Sequence, residues 1–226
     1  MKNKIINFLI FIIILGLSIF LVFQEKIGDL DEIWQYSFAS NISKGLIPYK
    51  DFNTISTPLF SYIAALFLKL LGDQLIVMRI FDSIVFAFIL FMAYKIFEIL
   101  KLKRIKSVFF VLILYLLFYL DLGVEYNYLV LLLTLISLYF ELKNVNKYGM
   151  FKANKDILLG IIMGLTIITK HTTGIIIAFV YILYKIIFVK NKDDFKAFLK
   201  IALLRTIGVL IPCFIFFTYI IIARSI

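Results

Sequence analysis

The stretch TPLFSYIAALFLKLL (residues 57–71) decides how this chain is laid out, because it is apolar yet short and carries Lys69. A helix crossing the hydrocarbon core of a bilayer needs roughly 20 mostly apolar residues. Other apolar runs lie on either side of it, at 5–23, 83–97 and 201–224. With 63% hydrophobic residues and a mean hydropathy of +1.05, the composition exceeds the roughly 45–50% apolar share of a soluble domain. The chain reads as an all-α, polytopic transmembrane protein.

The net charge of +10 falls in short clusters between the apolar runs, the pattern of membrane topology and not of a nucleic-acid surface. The clusters are Lys2 and Lys4; Lys101, Lys103, Arg104 and Lys106; Lys143, Lys147, Lys152 and Lys155; and Lys190, Lys192, Lys196 and Lys200. Short Lys- and Arg-rich loops stay cytoplasmic, so an even number of crossings must separate each pair. Between the first two clusters lie three apolar segments, 5–23, 57–71 and 75–97. Placing 57–71 against the outer membrane surface restores the even count. The segments 107–121, 126–142, 156–171, 172–189 and 201–224 then alternate, giving about seven spanning helices. Residues 24–74 become an extracytoplasmic first loop with interfacial helices, within one transmembrane domain, 1–226, that has no separate soluble domain. The N-terminus is expected on the cytoplasmic side of the cell membrane. Its apolar run is too long for a cleaved signal core of roughly 7–15 residues, so it reads as a retained helix.

Other chemistry is excluded more simply. Cys213 is the single cysteine and His171 the single histidine, so neither a disulfide within the chain nor a zinc cluster of the usual spacing can form. No glycine-rich phosphate loop is present. A secondary transporter would show paired repeats and broken helices at mid-membrane, and neither is evident.

The first loop reads GDLDEIWQYSFASNISKG (28–45) followed by LIPYKDF (46–52). Carboxylates at Asp31 and Glu32 suit the N-terminus of a helix, where free N–H groups and the dipole favour negative charge. Leu30, Trp34, Phe38 and Ile42 recur every four residues as a stripe that would rest on the membrane, and Gly45 and Pro48 stop the helix. Downstream, EYNYL (125–129) and GLTIITKHTTG (164–174) fall at the second and third outer turns. Gly160 and Gly164, at i and i+4, suit a close helix crossing.

The order Asp-Glu, amphipathic helix, Gly, Pro, Asp, then a Pro-Leu helix ending in Leu71-Gly72, then Arg79, resembles the first loop of GT-C glycosyltransferases. Within that superfamily it is most similar to the protein O-mannosyltransferase and aminoarabinose-transferase branch, glycosyltransferase family 39-like. Many members carry His-Pro-Pro or Lys-Pro-Pro at the start of the second interfacial helix; here it is Ser56-Thr57-Pro58, without the basic residue.

The resemblance implies a membrane glycosyltransferase that moves a sugar from a polyprenyl-phosphate donor to an acceptor on the extracytoplasmic face. That is an activity of cell-envelope glycosylation. Asp31 would be the general base, with Glu32 and Glu125 as further catalytic acids. Lys170, His171, Arg79 and Lys50 would meet the donor phosphate, where charge develops on the leaving group. Asp121, Asn127 and Asp51 would supply a second acid or contact the acceptor, which could be protein, lipid or cell-wall glycan. No cofactor is assigned, and acids at an interface suit a divalent metal and a metal-free site equally. Relatives continue with more helices or a soluble domain, so the resemblance also implies a truncated or split transferase. The alternative reading is a non-catalytic accessory subunit or lipid-carrier translocation component that keeps the helical core.

Overall fold

The computed structural model describes residues 2–22, 30–54, 56–118, 126–152 and 154–225. They form α1 (Lys2–Val22), α2 (Leu30–Ser43), α3 (Leu59–Leu71), α4 (Leu75–Ile99), α5 (Arg104–Phe118), α6 (Tyr126–Tyr148), α7 (Asp156–Ile167), α8 (His171–Leu183) and α9 (Lys192–Ser225). A 3-10 turn, Tyr184–Phe188, continues α8. Among the described residues five segments are long and apolar enough to cross a bilayer: α1, α4, α6, α8 with its 3-10 extension, and α9. The other two expected spans are α5 and α7, of 15 and 12 residues. Helix α3 has 13 residues, which at ~1.5 Å each cover about 20 Å. That is short of a hydrocarbon core of about 30 Å.

The chain divides into two compact units, Met1–Pro48 with Phe60–Leu132, and Tyr49–Leu59 with Leu133–Ile226. In the first, α4 is the central helix, 61% buried along its apolar window against 17% for α1. It packs on α1 and α5 through Ile14, Leu21, Phe86, Leu90, Tyr94 and Val111. Two tyrosines of this unit find acceptors: Tyr94 donates to Glu98 Oε1 at 3.0 Å, and Tyr115 donates to the Leu17 carbonyl at 3.2 Å.

In the second unit α7 lies directly on α9. A Cβ added at Gly160 would sit 2.2 Å from the Arg205 carbonyl oxygen and 2.8 Å from Gly208 Cα. One added at Gly164 would sit 2.4 Å from Pro212 Cγ. The i, i+4 glycines of α7 thus face an equally spaced pair, Gly208 and Pro212: backbone meets backbone at Gly160 and Gly208, and the Pro212 ring packs over Gly164. Gly160→Ala is expected to destabilise the unit by about 1–3 kcal/mol, since backbone must move to admit the methyl group. Thermal unfolding in detergent measures this, and an unchanged midpoint would contradict the packing.

Helix α9 starts well before the 201–224 run that hydropathy marks out. The Asn191 side chain accepts the Asp194 N–H at 2.8 Å, and Asp194 Oδ2 accepts the Lys190 N–H at 3.1 Å. The first bond caps a first-turn donor and the second ties the residue before the cap to the same turn, which lets a charged turn nucleate the helix.

Candidate functional site

Helix α2 buries polar residues against the protein, and of the expected stripe Leu30 and Trp34 are exposed while Phe38 and Ile42 are half-buried. Glu32, Gln35, Ala39 and Ser40 are buried, whereas Leu30, Ile33 and Trp34 are exposed. The anchor is Glu32, 1% exposed. Arg79 of α4 donates to it twice, Nε to Oε1 at 2.6 Å and Nη2 to Oε2 at 2.9 Å. A bidentate guanidinium–carboxylate pair fixes direction as well as distance. Gln35 adds a weaker link, accepting from Ser61 Oγ of α3 at 3.4 Å. Asp31, one residue before Glu32, is exposed.

A second clamp holds the other end of α2. Asp73, in the turn between α3 and α4, accepts from Ser40 Oγ and pairs with Lys44 Nζ, both at 2.8 Å. Tyr36 donates its hydroxyl to the Asp73 carbonyl oxygen at 3.1 Å. The Lys44 hydrogen bond holds the Asp73 carboxyl below its ordinary range, and the same bond raises Lys44. Gly45, with φ of +92°, then ends the helix in the left-handed conformation that glycine tolerates best.

Of the residues singled out in the sequence, Asp31, Glu32, Arg79 and Asn127 lie in the first unit. Lys50, Asp51, Lys170 and His171 lie in the second. Asp121 and Glu125 fall outside the described residues. Glu32 and Arg79 are brought together, as partners of each other. Lys50 and Asp51 are exposed in a tight turn closed by the Tyr49 N–H on the Phe52 carbonyl at 2.8 Å. The Leu59 N–H reaches the Ile168 carbonyl at 3.3 Å, tying the end of that loop to the turn carrying Lys170. Lys170 precedes the first turn of α8, and His171 opens it and is exposed. The hairpin is tight because Gly174 packs on Ile167, where a Cβ would lie 2.5 Å from the backbone. Among the described residues no group of three or more His, Cys, Asp or Glu is placed to hold a metal ion.

One polar cluster was not anticipated. Arg205 of α9 donates Nε to Asp156 Oδ1 at 2.8 Å, Nη1 to the Tyr181 carbonyl at 2.8 Å, and Nη2 to Glu141 Oε2. Lys185 pairs with Glu141 Oε1 at 2.9 Å and donates to the Met150 carbonyl at 2.6 Å, and Tyr184 donates to the same Glu141 oxygen. All four charged side chains are 5% exposed or less. The signal was present in the sequence. Each residue is a lone charge in or at the start of an apolar run, and such charges pair inside a bundle.

A family profile described as dolichyl-phosphate-mannose-protein mannosyltransferase matches residues 56–222. Arg79, Asp121, Glu125, Asn127, Lys170 and His171 fall within the match, whereas Asp31, Glu32, Lys50 and Asp51 precede it. No curated protein and no solved structure matches the chain. The matched segment covers well over half of the sequence, in a helical protein with several membrane-length apolar segments. The chain therefore belongs to the dolichyl-phosphate-mannose-protein mannosyltransferase family, membrane glycosyltransferases of the GT-C type.

Proposed function

We propose that the chain transfers a sugar from a polyprenyl-phosphate carrier to a hydroxyl acceptor at the extracytoplasmic membrane surface, with Asp31 as general base. Asp31 takes the acceptor proton while the acceptor oxygen bonds to the anomeric carbon. The bond from that carbon to the phosphate oxygen breaks, and the carrier phosphate leaves with the electron pair. A base must be held within hydrogen-bond reach of the proton it removes.

The observation that carries this reading is the buried Glu32–Arg79 pair. It engages Glu32, leaves Asp31 as the exposed acid of the first turn, and ties the backbone beside it to α4. The exposed stripe of Leu30, Ile33 and Trp34 supports a helix lying on lipid, where a polyprenyl tail would also lie. On this reading Glu32 and Arg79 position the base. Lys170, His171 and Lys50 keep the phosphate role that the resemblance gives them, and Glu125, Asp121, Asn127 and Asp51 keep the acid and acceptor roles.

The test is transfer in sealed vesicles holding the purified chain and polyprenyl-phosphate sugars, with hydroxyl acceptors supplied outside. Time-dependent product formation is expected. No transfer from any such donor to protein, lipid or glycan acceptors would overturn the reading.

A further inference from the structure

In the second unit, a cavity of about 360 Å³ lies between α6 and α8. Leu138, Leu142 and Val145 of α6 line it, together with Val180 of α8 and with Met150. The α6 positions recur at helical spacing, and one more step along that face arrives at Tyr148. There the ammonium groups of Lys147 and Lys152 sit 4.8 and 5.3 Å from the Tyr148 ring centroid. Lys143 and Lys155 are exposed nearby in sequence, and each stacks on an aromatic ring.

The local acids do not neutralise these lysines. Among the described residues none of Lys143, Lys147, Lys152 and Lys155 is ion-paired, because Glu141 and Asp156 are taken by Lys185 and Arg205. Glu141 also lines the cavity. A bare carboxylate there would repel an anion. Its oxygens instead accept from Arg205, Lys185 and Tyr184, and the four buried charges cancel. What remains is an apolar groove with uncompensated positive charge one helical step further along the α6 face.

We infer that this face binds an anionic glycerophospholipid, with an acyl chain along the groove and the phosphate among Lys147, Lys152 and Tyr148. A zwitterionic headgroup would leave the lysines unmatched, and a soluble anion would leave the groove empty. Anionic headgroups gain about 1 kcal/mol per nearby Lys or Arg. The site is independent of the sugar-transfer reading.

The test is native mass spectrometry of the full chain with phosphatidylglycerol and phosphatidylcholine of identical acyl chains. The wild type should retain phosphatidylglycerol preferentially. Lys147→Gln with Lys152→Gln should weaken that retention about ten- to thirtyfold, by the cited value per lysine, and leave phosphatidylcholine unchanged. Val145→Trp, which fills the groove, should weaken phosphatidylglycerol binding with the lysines intact. Both lysines are exposed, so the double variant is expected to fold, and its circular dichroism checks this. Equal retention of the two lipids would overturn the assignment, as would a double variant that binds like wild type. So would displacement by glycerol phosphate as effective as by whole lipid, or by a polyprenyl phosphate that outcompetes phosphatidylglycerol at equal concentration.

Discussion

Arg205→Leu is expected to lower the unfolding free energy by about 3–5 kcal/mol, the cost of leaving buried charge without its partner. Arg205 is 1% exposed and touches both buried acids of the second unit. Without it, Glu141 and Asp156 face Lys185 alone, so one negative charge is uncompensated among apolar helices. The Tyr181 carbonyl also loses its donor. Loss of helical signal under denaturant in mixed micelles measures the effect. A second variant separates charge from packing. Adding Asp156→Asn to Arg205→Leu restores neutrality around Glu141 and Lys185 and should recover part of the loss, a non-additivity expected of side chains in one network. A single variant within about 0.5 kcal/mol of wild type would mean that the cluster is solvated.

That cluster also shows where sequence reading stops. Periodicity and charge counting identified the long apolar helices, singled out 57–71 as too short, and ended α2 near Gly45. They had no means of joining Glu32 to Arg79, which are 47 positions apart. Nor could they join Glu141, Asp156, Lys185 and Arg205, which come from four elements whose adjacency is set by packing. Position along the chain is local information, whereas ion pairing is decided by which helix faces meet. The start of α9 was missed for a different reason. Hydropathy sees Lys192 to Lys200 as a polar stretch, but the Asn191–Asp194 cap makes it the first turns of a helix. Among the site residues, the resemblance supplied roles. The local structure then separated two neighbouring acids, Asp31 exposed and Glu32 buried, that no sequence pattern distinguishes.

Asp31→Asn is expected to cut sugar transfer at least a hundredfold while leaving the fold intact. An amide of the same shape cannot take a proton, and general base catalysis contributes typically 10²–10⁴-fold. Asn remains acceptable at a helix N-terminus, and Asp31 is exposed, so stability should stay within about 0.5 kcal/mol of wild type. Glu32→Gln should do the reverse in kind. It takes the charged Glu32 partner away from the buried Arg79 guanidinium, so its first effect is on unfolding, and its loss of transfer follows from a loosened α2. Stability measured beside transfer separates the two. Asp31→Asn should lose transfer at wild-type stability, whereas Glu32→Gln should lose both together. An Asp31→Asn chain that transfers at the wild-type rate would move the base elsewhere. Glu32 and Arg79 would then anchor a helix for some purpose other than presenting a carboxylate.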